Sequence, residues 1–241
     1  MICHCCGGDY KQLSSNVFEC NNCKHIYRLY EGNSIAYHRE LYRNIERRDK
    51  KEIDLKGLIK PLFHQKRKKI CKKRIEEITP YLTSIDKCLD IGGGAGTFAN
   101  LLKDKVGSVE CTELAPNLIN ELKRQGFIVY EEDFLKLEIS KTYDVLFAWH
   151  VLEHIIEIQE FIKKAAFLTK RFFVLEIPTL KSLNGRGRER SLTDPSEVEY
   201  DGHAHYFSSE SLKILVEQFF RIIDFKEGIQ SPSILVVLEK I

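Results

Sequence analysis

The stretch Lys87–Leu102, KCLDIGGGAGTFANLL, constrains this chain more than any other. Lys87 to Ile91 reads as a short buried strand. Asp90-Ile91-Gly92-Gly93-Gly94-Ala95-Gly96 reads as a tight glycine turn, and Thr97 to Leu102 as the start of a helix. Glycine admits positive φ and lets a ligand approach backbone that carries no Cβ. A helix that starts just after such a turn presents unpaired N–H groups. The bend is therefore the expected seat of a polar, adenosine-type cofactor.

Downstream, strands and helices alternate. Ser108–Thr112 reads as a strand with Glu113 at its end, Asn117–Gln125 as a helix closed by Gly126, and Phe127–Glu131 as a strand followed by Asp133 and Phe134. Tyr143–Ala148 is nearly all apolar, as a strand covered on both faces must be. Ile158–Thr169 reads as a helix and Phe172–Ile177 as a strand closed by Pro178. This order predicts a doubly wound, mostly parallel α/β sheet whose ligands sit at the carboxyl ends of the strands. Glu113, Asp133 and Trp149 all fall at such ends. Glu113 lies 23 residues after Asp90, where a carboxylate can accept from both hydroxyls of a ribose. Asp133 and Phe134 are placed to hold an adenine amino group and to stack on its ring. The tail breaks the alternation: Ser209–Phe219 reads as a helix capped by Ser208 or Ser209, and Arg221–Glu227 and Ser233–Glu239 as an antiparallel hairpin. With that hairpin the sheet has seven strands.

Five of the eight cysteines lie in the first 23 residues. Met1-Ile2-Cys3 leaves no room for an export signal, which predicts a cytoplasmic chain and metal rather than disulfides. Cys3-His4-Cys5-Cys6 and Cys20-Asn21-Asn22-Cys23 are two C-x2-C pairs separated by 13 residues, a spacing that suits tetrahedral zinc held by Cys3, Cys6, Cys20 and Cys23. Cys5 competes with Cys3 or Cys6 for a place. His4 and His25 are expected at the surface. Val17 and Phe18, with Ile26–Tyr30 returning beside them, would form a small ribbon. So short a segment has no core of its own, and structural zinc supplies about 10–16 kcal/mol in comparable modules. No thioredoxin-like βαβ pattern surrounds the pairs, which disfavours a redox role.

The chain thus divides into a cysteine module at 1–32, a helical arm at 33–82 and an α/β domain at 83–241. In the arm, Tyr37, Leu41 and Ile45 form an apolar stripe, Tyr37 and His38 are positioned to act as a lid, and Pro80 ends the helix. Lys66–Arg74 is strongly basic, and the favoured reading is a solvated helix face rather than a phosphate-binding one. The net charge of +2 is too small to imply a polyanion partner, and no run of 18 apolar residues suggests a membrane span.

Asp90–Gly96, Glu113, Asp133 and the terminal hairpin resemble the class I S-adenosylmethionine-dependent methyltransferases. The likeness continues through Trp149-His150-Val151-Leu152-Glu153-His154, Glu176-Ile177-Pro178-Thr179 and Gly202-His203-Ala204-His205-Tyr206-Phe207-Ser208. With the leading cysteine pairs, the whole is similar to zinc-ribbon methyltransferases found among glycan and natural-product genes. The resemblance implies S-adenosylmethionine as cofactor, contacted by Asp90, Gly92, Gly93, Gly94, Gly96, Glu113, Leu114, Asp133, Phe134 and Trp149. Gly93 departs from it, since many relatives carry cysteine or alanine there.

Methyl transfer from a sulfonium needs alignment of donor and acceptor, and a base only where the acceptor holds a proton. His150, Glu153, His154 and His203 are the candidate catalytic residues, with His150 or His203 as base. The spelling H-x-x-E-H also occurs in metalloproteases, but the strand context here is that of a nucleotide cleft. Ubiquinone-pathway O-methyltransferases look similar at this point, which raises a divalent metal on His150, Glu153 and His154; the favoured reading is loop orientation by Glu153 and His154. Asn184–Asp201 reads as a long loop over the cleft, mixing arginines with acids. The leading expectation is methylation of a hydroxyl or amine on a small acceptor, such as a sugar or nucleotide-linked sugar, with neither nucleic acid nor membrane as partner. The alternatives are an RNA methyltransferase gripping its substrate through the ribbon and Lys66–Arg74, and a non-catalytic cofactor-binding subunit.

Overall fold

The computed structural model describes residues 1–29, 59–179, 203–228 and 233–241. The Tyr37–Leu41–Ile45 stripe, the proposed lid at Tyr37 and His38, and the Asn184–Asp201 loop lie outside the described residues.

Five parallel strands run β4 (Lys87–Ile91), β5 (Ser108–Thr112), β6 (Ile128–Tyr130), β7 (Tyr143–Trp149) and β8 (Thr169–Pro178), and β10 (Phe220–Glu227) and β11 (Ser233–Lys240) follow as an antiparallel pair. Their order across the seven-stranded sheet is β10-β11-β8-β7-β4-β5-β6. β11 pairs antiparallel with β8, so the tail hairpin extends the sheet as expected. The chain leaves β4 toward β5 and β6, then returns to the other side of β4 with β7. That reversal opens a crevice at the carboxyl ends of β4 and β7. Register aligns those ends, with Ile91 opposite both Thr112 and Ala148, and Trp149 opposite Glu176.

The central strands are covered on both faces because most of the side chains on each face are apolar. Leu89, Ile91, Leu146 and Ala148 face one core, which α4 (Ile158–Leu168) and α5 (Ser209–Val216) fill with Phe161, Ile162, Leu212 and Leu215. Cys88, Val145, Phe147 and Trp149 face the other, against Phe98 and Leu102 of α2 (Thr97–Leu102) and Cys71, Ile75 and Ile78 of α1 (Ile59–Ile78). The spacing of those last three puts them on one side of α1. That helix ends at Ile78 in a 3-10 turn holding Pro80, as proline dictates. A further helix, α3 (Pro116–Arg124), adds Leu122 to the second core.

Near the N-terminus β1 (Tyr10–Gln12), β2 (Val17–Cys20) and β3 (Ile26–Arg28) form the anticipated ribbon. Its sheet does not end there. β9 (His205–Tyr206), far along the chain, adds a fourth antiparallel strand by pairing Ile26 with Tyr206 and Tyr27 with His205. Ser208 closes this junction twice over. Its hydroxyl accepts from Ser211 N–H as the cap of α5 and donates to the Cys23 carbonyl at 2.7 Å.

Candidate active site

The glycine turn sits in the crevice. Gly92, Gly94 and Gly96 all take positive φ, between 56° and 75°. Gly92 N–H donates to Thr112 Oγ1 (3.1 Å), and Gly93 N–H to the Thr112 carbonyl (2.9 Å). A Cβ on Gly92 would meet Val151 Cγ2 at 2.8 Å, and one on Gly93 would press on Cys111 at 3.1 Å. Beside Gly94 the space is open, with only the Gly92 carbonyl as near as 4.0 Å.

Glu113 is anchored at the end of β5. One carboxylate oxygen accepts from Gly94 N–H (2.9 Å), the other from Leu114 N–H (2.7 Å) and Ala115 N–H (2.9 Å). Three of the roughly four acceptor positions of a carboxylate are thus filled by backbone, and one is left for a ligand. Asp133, past β6, accepts from Leu135 N–H at 2.9 Å. Phe134, next to it, is buried, with its ring 5.0 Å from that of Phe161.

Asp90 Oδ1 and Trp149 Nε1, at the ends of β4 and β7, are among the buried polar atoms that have no hydrogen-bond partner among the described residues. Burial pushes the Asp90 carboxyl up to about 7, against the opposing pull of Arg74. Unpaired groups of this kind cost about 1–3 kcal/mol each, and a polar ligand in the crevice would relieve that cost. Bare glycine backbone, an anchored carboxylate and orphaned polar atoms together fit a polar ligand.

Past β7 the backbone turns sharply at His150, a non-glycine residue with φ of 56°. Such a conformation costs on the order of 1–3 kcal/mol and persists only where the surroundings enforce it. Here the His150 N–H is held by the Glu176 carbonyl at 2.8 Å. The imidazole lies between two carboxylates, Nε2 at 3.2 Å from Glu176 Oε1 and Nδ1 at 3.3 Å from Glu153 Oε1. Burial disfavours its charge, but the hydrogen bonds and charges of Glu153 and Glu176 outweigh burial and raise the pKa to about 9. Both carboxylates are likewise disfavoured by burial. His150 and the surrounding positive groups hold each down to about 2.

Arg74 completes the network. Its Nε donates to Glu176 Oε2 at 2.8 Å, and its guanidinium lies 4.6 Å from the Trp149 ring. The reading of Lys66–Arg74 as a solvated face therefore holds for Lys66–Lys69, Lys72 and Lys73 but not for Arg74, which is buried. Its position within the Cys71–Ile75–Ile78 stripe was the available signal. Arg74 and Glu176 are the two site residues that the sequence reading did not single out.

Glu153 and His154 lie on a 3-10 turn, Leu152–His154, where His154 faces His203 with ring centroids 4.8 Å apart. Ligand atoms of Glu153, His154 and His203 lie within 4.8 Å of one another, so the structure brings these three together. His150 instead joins Glu153 to Glu176.

In the ribbon, the Sγ atoms of Cys3, Cys6, Cys20 and Cys23 lie within 4.8 Å of one another, with Cys3–Cys23 at 3.6 Å and Cys6–Cys20 at 3.4 Å. A tetrahedral zinc with 2.3 Å bonds asks for about 3.8 Å between sulfurs, so the quartet fits that ion. Cys5 falls outside it, beside Cys3 and His25. The expectation of surface histidines fails for His25, which is fully buried, and His4 is half-buried. The reason is the β3–β9 pairing, which lays residues 204–207 over this side of the ribbon.

A family model described as a methyltransferase domain matches residues 63–219, and the chain belongs to that family. No curated protein matches the sequence significantly. Among solved structures, a magnesium protoporphyrin IX methyltransferase from Synechocystis PCC 6803 with bound SAH is similar in fold. It has a TM-score of 0.59 at 16% identity over 77% of this chain and 89% of that chain. A SAM-dependent methyltransferase from Thermotoga maritima, described as a possible histamine N-methyltransferase, gives 0.58 at 18% over 75% and 92%. A Pyrococcus horikoshii OT3 protein gives 0.56 at 20% over 70% and 91%. No described helix is long and apolar enough to cross a membrane.

Proposed function

We propose that this methyltransferase uses S-adenosylmethionine to methylate a hydroxyl or amine of a small acceptor, such as a sugar or nucleotide-linked sugar. The observation that carries this reading is the shared edge. The Gly92–Gly96 turn, the anchored Glu113 and the His150–Glu153–His154 segment all sit at the carboxyl ends of neighbouring strands. Bound there, S-adenosylmethionine supplies a methyl group already activated on a sulfonium. Glu113 would take a ribose hydroxyl at its remaining acceptor position, and Asp133 an adenine amino group. Asp90 and Trp149 offer the unpaired polar atoms. Alignment of this kind accounts for roughly 7–11 kcal/mol of a two-substrate barrier.

His150, cationic at neutral pH and held by two carboxylates, orients the segment rather than accepting a proton. The proton acceptor is His203 or its neighbour His154. Cys3, Cys6, Cys20 and Cys23 hold structural zinc. Screening candidate acceptors for S-adenosylhomocysteine release tests the reading. Release with a small hydroxyl or amine acceptor, lost in His203→Ala with cofactor binding intact, is the expected result. A second reading, an RNA acceptor, draws on the exposed lysines of α1 at 66, 68, 69, 72 and 73. Steeply salt-dependent RNA binding would favour it.

A further inference from the structure

Three hydrogen bonds run in one direction out of the ribbon. The carbonyl of Ile156 can only accept, so His205 Nε2, 3.1 Å away, carries the proton. Full burial holds His205 neutral, leaving its Nδ1 an acceptor for His25 Nε2 at 3.1 Å. His25, also buried, then uses Nδ1 to accept from the Tyr10 hydroxyl at 2.7 Å. The two imidazoles stack at 5.1 Å with 17° between planes. A second path runs beside the first: Arg28 N–H donates to the Ala204 carbonyl and Ala204 N–H to the Glu153 carbonyl, both at 2.8 Å. One path thus ends on the turn itself, at Glu153, and the other two residues past it, at Ile156.

We infer that His25 and His205 are positioning residues, through which the cysteine-held ribbon fixes the turn bearing Glu153 and His154. Neither side chain is among those placed in the crevice. Their donor and acceptor atoms are used up within the chain, and at Ile156 they satisfy a carbonyl just past that turn. The metal assignment strengthens the inference, because His25 is two residues from Cys23 and Ser208 grips the Cys23 carbonyl. A ribbon without its ion would release both paths together.

Amide exchange and cofactor binding test this on the full chain without knowledge of the acceptor. In His205→Phe, which fills the space but neither donates nor accepts, exchange at His154 and Ile155 should quicken about tenfold, the scale of one lost buried hydrogen bond. His205→Gln keeps a donor near the Nε2 position and should recover most of the protection. Zinc content and S-adenosylmethionine affinity, measured in parallel, should stay near wild type in both. Unchanged exchange in folded, zinc-loaded His205→Phe would overturn the inference, as would failure of His205→Gln to restore protection. Absence of zinc from the purified protein would defeat the metal assignment, while the two His205 variants would still decide the role of the histidine chain. If His205→Phe does not fold, His25→Phe is read in the same way.

Discussion

At the scale of single residues, the charges around His150 decide most. Arg74 and Glu176 are both nearly buried, with side chains 11% and 5% exposed. Removing one partner of a buried pair costs about 3–5 kcal/mol, and His150 stays beside Glu176 when Arg74 is lost, so the cost here falls at the low end. Arg74→Leu should therefore lower unfolding stability by about 3 kcal/mol in urea denaturation, far more than Lys73→Leu on the exposed side of the same helix. pH acts through the same groups. His150 is raised from 6.5 to about 9, so its contribution is complete below pH 6.5 and is lost as pH rises through 9. Glu153 and Glu176 are lowered from 4.5 to about 2, so theirs is present above pH 4.5 and is lost as pH falls through 2. The stability gap between wild type and His150→Asn should thus be widest between pH 4.5 and 6.5 and shrink as pH passes 9, in melting curves across that range.

Among elements, the strand–turn–helix unit was the most legible. Lys87–Ile91 and Ser108–Thr112 are strands with the boundaries expected from the sequence, because glycine bounds each: the turn from Gly92 after the first and Gly107 before the second. What escaped reading depends on distant partners. Arg74 looks like any residue in a basic run until Glu176, 102 positions on, draws it inward. His205-Tyr206 has no strand signature at two residues and is a strand only because β3 lies against it. The turn itself allows a controlled comparison. Gly92 and Gly126 both have positive φ, but a Cβ would strike Val151 only at Gly92. Both alanine variants should lose about 1–2 kcal/mol from backbone strain. Only Gly92→Ala should also weaken S-adenosylmethionine binding by about tenfold or more, since Val151 adjoins the site; calorimetry on the two variants checks it.

For the whole molecule, the ribbon and the α/β domain share one sheet and one set of histidines. The sequence separates them as 1–32 and 83–241, while β9, Ala204 and Ser208 tie them together. Cys20→Ser should therefore affect more than the ribbon. It should abolish stoichiometric zinc and lower the melting temperature of the entire chain, seen by calorimetry as loss of a single transition rather than of a separate minor one. The account depends above all on the crevice at the carboxyl ends of β4 and β7, flanked by Glu113 at the end of β5, receiving an adenosyl donor. Isothermal titration of the folded, zinc-loaded protein with S-adenosylmethionine tests this most directly. The prediction is one site per chain, weakened about tenfold or more in Glu113→Ala. No binding, or an affinity that Glu113→Ala leaves unchanged, would contradict it.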